Sequence, residues 1–169
     1  MVQTVKEVGK ARNVLAAGER ATATRMRRDT SVAQRWIIKR NAYLQASFQR
    51  RIAEINRGAD ADDLVGAAEV LQVPREQLYD LVGLSVSTAK RKLAKNEKLD
   101  PYVTERLMQI GAVEKLAEDV FGDRNRASEW LKTSNAGLGS VAPLSVLSTE
   151  IGRREVSRIL NAIAYGGAA

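Results

Sequence analysis

The chain of 169 residues contains neither cysteine nor histidine, and aromatic residues make up only 5% of it. Without cysteine there is no disulfide framework and no thiol nucleophile. Without either residue the usual zinc ligands are missing, and so is the side chain that most often acts as a base near pH 7. Catalysis would fall to carboxylates, Lys, Tyr and hydroxyls, which need close pairing and shifted pKa values. No such pair stands out, so the chain is not expected to be an enzyme, nor to hold a metal or cofactor. Also missing is a run of about 20 apolar residues that could span a bilayer. The opening MVQTVKEVGK has no apolar centre of the secretory kind. A cytoplasmic protein without a membrane partner is the expectation, and the lack of cysteine suits a reducing compartment.

What is present is ordinary in amount and uneven in placement. Hydrophobic residues make up 44% and charged residues 28%, enough for one domain or two small ones sharing a core. Residues 1–58 hold 13 Lys/Arg against 4 Asp/Glu, a balance of +9, whereas residues 59–169 hold 14 against 16, a balance of −2. A basic arm before a near-neutral body suits an acidic partner, and nucleic acid is the commonest. Residues 1–30, with few large apolar groups, read as a basic, flexible leader, at most with a frayed helix around Val5–Leu15.

Beyond the leader the apolar spacing is helical throughout, with no strand-like alternation, so the fold class is all-α. Trp36 and Ile37 open the ordered part. Leu44, Phe48, Ile52 and Ile55 then fall on one face of a helix that Gly58 ends. Leu64, Ala68 and Leu71 form the next stripe, behind helix-start carboxylates Asp60, Asp62 and Asp63. Pro74 suits a first helical position before Leu78, Leu81 and Val82. Asp100-Pro101 launches a long helix carrying Val103, Leu107, Ile110, Val113, Ala117 and Val120, closed at Gly122. Asp123 caps a short helix, and Thr149 caps a last one with Val156, Ile159, Leu160 and Ile163 in a stripe.

Two places carry functional signals. Around Gly83 two short helices meet at a tight turn, and Ser85 can cap the second, in which Val86, Ala89 and Leu93 point inward. Its other face offers Ser87, Thr88, Arg91 and Lys95, with Lys90 and Lys92 alongside. From Ser85 to Leu99 there are five Lys/Arg and one Glu. Small hydroxyls in the first turn followed by cations suit a recognition helix entering the major groove. Ser87, Thr88 and Arg91 are the candidates for base edges and Lys90, Lys92 and Lys95 for phosphates, with the capping Ser85 counted among the DNA-binding residues. An ordinary helical hairpin with a basic face is the plainer alternative.

The second place is residues 111–169, which hold no nucleophile–base pair. GLGS follows a helix and a small-residue loop, not a strand, so it is no nucleotide cradle. Trp130, Leu131, Leu138, Leu144 and Leu147 surround that loop. The stretch AEDVFGDRNRASEWLKTSNAGLGSVAPLSVLSTEIGRREVSRILNAIAYG resembles the toxin-binding domain of MbcA/ParS/Xre-type bacterial antitoxins. The resemblance rests on Val120-Phe121-Gly122, Ala127, Trp130-Leu131, Asn135, Leu138-Gly139 and Pro143-Leu144. It continues through Leu147, Thr149, Gly152, Glu155-Val156, Leu160, Ile163 and Tyr165-Gly166. Ser134, Ala136-Gly137 and Ser140 depart from the family's loop pattern. The helix-turn-helix is similar to the family's N-terminal half, so the likeness runs from about residue 50 to residue 167.

The resemblance implies an Xre-like helix-turn-helix domain within 31–110 and a toxin-binding domain over 111–169. It also implies the antitoxin of a RES–Xre type II toxin–antitoxin system. The partner would be a RES-domain toxin that degrades NAD or transfers ADP-ribose from it. Trp130, Asn135, Leu138, Gly139, Thr149, Tyr165, Gly166, Gly167, Ala168 and Ala169 would face the toxin and block its NAD pocket. The helix-turn-helix would bind operator DNA as a homodimer and repress the operon. A competing reading is a helix-turn-helix transcription regulator whose C-terminal domain only dimerises or senses a ligand.

Overall fold

The computed structural model describes residues 31–166, and every regular element among them is helical. Helix α1 spans Val32–Gln45 and α2 spans Phe48–Arg57. The expected single helix up to Gly58 is therefore broken at Ala46-Ser47. The physical reason is a competing cap: the Ser47 hydroxyl accepts the Arg50 N–H at 3.4 Å, while the Ala46 N–H turns back to the Tyr43 carbonyl at 3.1 Å. The apolar row also departs from expectation. Phe48 is 69% exposed and Ile52 44%, and no residue of α2 is buried.

The core is built around α3 (Asp62–Leu71), most of whose residues are buried and against which α1 lies. Trp36 of α1 is fully buried there, together with Leu64, Leu78, Leu107 and Ile110. Asp60 and Asp63 serve the start of α3 and its neighbours. Asp63 accepts the Asp60 N–H at 2.9 Å and pairs with Lys39, while Asp60 is held by Lys39 and Lys98.

Helix α4 (Arg75–Val82) and α5 (Val86–Ala94) form the helix-turn-helix. Pro74 stands at the N-cap position of α4, so the helix begins one residue later than expected. Between them Gly83 takes φ = 73°, a left-handed conformation that glycine enters without steric cost. The Leu84 N–H then reaches back to the Tyr79 carbonyl at 2.8 Å, which sets the angle between the two helices.

Helix α6 (Pro101–Phe121) has Asp100 before it and Pro101 at its first position, and stops at Gly122 as the spacing predicts. It passes unbroken through residues 110 and 111, and the chain from Val32 onward forms one compact unit. Helix α7 (Arg124–Lys132) is capped by Asp123, which accepts the Arg126 N–H at 2.9 Å. A single 3₁₀ turn at Ala136–Leu138 and the short α8 (Pro143–Val146) lead to α9 (Glu150–Ala164). Both α7 and α9 pack on α6. Val156, Ile159 and Leu160 are fully buried, but Ile163 at the end of their stripe is 37% exposed. No helix among the described residues is long and apolar enough to cross a membrane. The leader, with its expected helix at Val5–Leu15, lies outside the described residues, as do Gly167, Ala168 and Ala169.

Candidate functional site

Helix α5 begins with a dense hydroxyl cluster. Ser85 is its N-cap and accepts the Thr88 N–H at 3.3 Å. The same oxygen lies 3.2 Å from the Ser87 hydroxyl and 2.8 Å from that of Thr88. Ser85 is thus committed to the helix start, Thr88 is half-buried beside it, and Ser87 is exposed. Further along, Ala89 is fully buried, with Val86 and Leu93 half-buried against the core.

The cations of α5 do not form one set. Lys90 and Lys95 are exposed and make no ion pair among the described residues. Arg91 is exposed and paired with Glu97, its Nη1 lying 2.7 and 2.6 Å from the two carboxylate oxygens. Lys92 corrects the sequence reading. It is only 7% exposed, its Nζ donates to the Lys98 carbonyl at 2.9 Å, and Asp100 lies 3.5 Å away. A lysine stem is long enough to lie along apolar surface, so a basic residue on the edge of a helical stripe can be drawn inward. Lys92 therefore ties α5 to the segment before α6 and stands apart from the phosphate candidates.

The C-terminal candidates divide in the same manner. Trp130 is half-buried and packs on Phe121, ring centroids 5.6 Å apart and tilted by 40°. Asn135 closes the 3₁₀ turn, its side chain accepting the Gly137 N–H at 2.8 Å, while its own N–H donates to Val141 at 3.0 Å. Thr149 caps α9, accepting the Gly152 N–H at 3.0 Å and donating to the Val146 carbonyl at 3.1 Å. The Asn135 Oδ1 and the Thr149 hydroxyl thus serve the fold. Leu138 is half-buried and Gly139 exposed. Tyr165 is 88% exposed at the end of α9, and Gly166 follows it with φ = 70°.

In the C-terminal part, two exposed apolar residues were missed by pattern reading, Val141 and Ile151, the latter 78% exposed. The signal for Ile151 was its position: it sits off the Val156–Ile159–Leu160 stripe, so helical geometry turns it away from the core. Arg153 is buried, and its Nη1 donates to the Leu147 carbonyl at 2.7 Å. Burial, and secondarily the charge of Arg106, hold its pKa below the usual arginine value. It forms part of the wall of an open groove of about 710 Å³ between α6 and α9, floored by Ala112, Val113 and Leu116.

Among the described residues no three acidic side chains are grouped so as to hold a metal ion. The arrangement offers surfaces for binding: a basic helix face at one place and an apolar helix end with small-residue loops at another.

Comparison with known proteins bears on both surfaces. Residues 50–110 match the family described as the antitoxin Xre-like helix-turn-helix domain. Residues 116–166 match the antitoxin Xre/MbcA/ParS C-terminal toxin-binding domain. The chain is 31% identical over 134 residues to the Prs ADP-ribosylating antitoxin of Sphingobium sp. (strain YBL2), covering 74% of this chain and 84% of that protein. It is 28% identical over 95 residues to an antitoxin Xre of Yersinia enterocolitica, covering 56% of this chain and 64% of the relative. Over 87 residues it is 30% identical to an antitoxin Xre of Photorhabdus laumondii, covering 51% and 59%. With a helix-turn-helix joined to a toxin-binding domain in the family's order, the chain belongs to the Xre/MbcA/ParS antitoxins.

Proposed function

We propose that this chain neutralises a RES-domain toxin by covering the mouth of its NAD pocket, and that it represses its own operon through α5. The observation that carries the toxin half is the end of α9. Tyr165, almost wholly exposed, projects where the helix stops, next to a glycine in a left-handed turn. An aromatic side chain on a helix end, followed by small residues, suits insertion into a cleft at little conformational cost. The Sphingobium relative carries ADP-ribosylation in its name, and ADP-ribosyl groups are drawn from NAD. In this reading the chain does no chemistry of its own and needs no cofactor; the partner toxin is the enzyme.

The DNA half rests on Ser87, Lys90, Arg91 and Lys95 projecting from a helix-turn-helix. A second copy of the chain would place two such helices on a palindromic site. The exposed Phe48 and Ile52 of α2 supply an apolar patch for that self-association. All of this would take place in the cytoplasm, where operon and toxin are both found.

The test is co-expression with the neighbouring reading frame, using the intact chain and a chain stopped at Ile163. Restored growth and co-purification with the intact chain alone would support the toxin clamp and assign the inhibition to the end of α9. A neighbour that is neither toxic nor retained would favour a transcription regulator whose C-terminal domain only dimerises or senses a ligand.

A further inference from the structure

We propose that Glu97 is a positioning residue for DNA recognition, holding Arg91 so that one edge of its guanidinium faces the base pairs. The inference rests on the DNA-binding reading above and adds a residue that lies outside the recognition helix itself.

Glu97 stands on a turn that the backbone fixes. Asn96 takes φ = 51°, which ends α5, and the Glu97 N–H donates to the Lys92 carbonyl at 2.9 Å. The Glu97 carbonyl accepts the Ala61 N–H at 3.2 Å, and two residues later the Leu99 N–H donates to the Ala59 carbonyl at 2.8 Å. Asp60 and Lys98 form an antiparallel bridge between these two points. The turn is therefore clamped to the start of α3, in the core of the unit. Its carboxylate has a fixed base, and the long Arg91 side chain is the part that must come to it.

The way the two groups meet decides what is left over. Nη1 of Arg91 takes both carboxylate oxygens, at 2.7 and 2.6 Å. Nε and Nη2 have no partner among the described residues. Those two N–H groups lie side by side on one edge of the planar guanidinium, the parallel donor pair that matches guanine O6 and N7, or a phosphate. An unheld arginine loses side-chain entropy when it adopts that orientation on DNA, and holding it beforehand removes part of that cost. The carboxylate also offsets the repulsion between Arg91 and Lys95, which stand one helical turn apart.

A carboxylate near DNA also repels phosphates, so charge and positioning act in opposite directions. Glu97→Gln separates them, because the amide keeps the size of the side chain while removing the charge and one acceptor. The experiment measures binding of the full-length chain to the duplex upstream of its own coding sequence and to a scrambled duplex of equal length. Four proteins are compared: wild type, E97Q, R91Q and the double variant, each over a salt series and with a thermal melt to confirm folding.

The expected result is that E97Q lowers the ratio of specific to scrambled binding by about fivefold or more, with binding to the scrambled duplex unchanged or tighter. In the R91Q background the same substitution should leave that ratio unchanged. An E97Q protein that keeps the wild-type ratio, or that binds both duplexes more tightly by the same factor, would overturn the proposal while leaving DNA recognition standing. A folded wild type with no preference between the duplexes would overturn both.

Discussion

The guanidinium of Arg40 and the carboxylate of Glu114 meet in the interior and join α1 to α6 across 74 residues of sequence. Arg40 is 1% exposed and Glu114 4%. Glu118 adds a second contact to Arg40 at 3.1 Å, and Arg124 reaches Glu118 from α7 at 3.2 Å. One ionic chain thus links three helices. The Trp36 indole N–H and one Glu114 oxygen are buried without a hydrogen bond of ordinary geometry. Burial raises the Glu114 pKa above the usual carboxylate value, although Arg40 pulls it the other way.

Removing the cation should therefore be costly in a pH-dependent manner. Arg40→Met leaves a buried, unpaired carboxylate, and a loss of about 3–5 kcal/mol at pH 7 is expected. A carboxyl whose folded pKa stands above its unfolded one takes up a proton on folding, so its penalty is relieved as the pH falls through the folded value. The deficit of R40M against wild type should consequently be smaller at pH 5 than at pH 7 in urea titrations. Glu114→Gln, which keeps an acceptor for Arg40, should cost less than R40M at neutral pH.

The lysines of α5 should separate in a salt titration of DNA binding. Lys90→Ala and Lys95→Ala are each expected to lower the slope of log K against log salt by about 0.9. Lys92→Met should leave the slope as it is and instead lower the urea midpoint, because it breaks the tie to the Lys98 carbonyl.

Self-association should depend on α2. If the proposed dimer forms through this patch, replacing Phe48 and Ile52 together by Glu is expected to convert it to a folded monomer, as read by sedimentation equilibrium. Since neither side chain is buried within the chain, the thermal midpoint of the dissociated protein should change by only a few degrees. A dimer that survives both substitutions would place the contact elsewhere.

Gly152 should behave against the ordinary helix rule. Alanine usually stabilises a helix relative to glycine by about 1 kcal/mol. Here a Cβ would stand 2.0 Å from the Val146 carbonyl oxygen, backbone against backbone at the α8–α9 corner. Gly152→Ala is therefore expected to destabilise by about 2 kcal/mol or more, lowering the thermal midpoint by several degrees in circular dichroism.

These positions also show what a sequence can and cannot disclose. The stripes of α6 and α9, the caps Ser85, Asp123 and Thr149, and the stop at Gly122 were all legible, because each follows from local geometry. Phe48 and Ile52 were read correctly as one face, but periodicity says that a face is apolar without saying what covers it. Lys92 lay on the basic side of the helix by type, yet its direction depends on the Lys98 carbonyl, which only tertiary structure places nearby. Asn135 and Thr149 stand out by resemblance as toxin contacts, and the turn-holding bonds of the Asn135 Oδ1 and the Thr149 hydroxyl are a second use that only the structure discloses. Arg40 gave no signal, since nothing local marks an arginine whose partner lies 74 residues away.

The unbroken course of α6 bears on how such proteins diversify. Its first turns carry Val103 and Leu107 into the core shared with the helix-turn-helix, and its later turns carry Val113 and Ala117 beneath the toxin-binding domain. At 21 residues it is about 31 Å of continuous rod, with no linker at which the two halves could be separated. A chimera joined at residue 110 would inherit the inner face of one parent's helix against the other parent's packing. Exchange of partner specificity between relatives should therefore succeed when α6 travels whole with everything after it, and fail when the seam falls inside it.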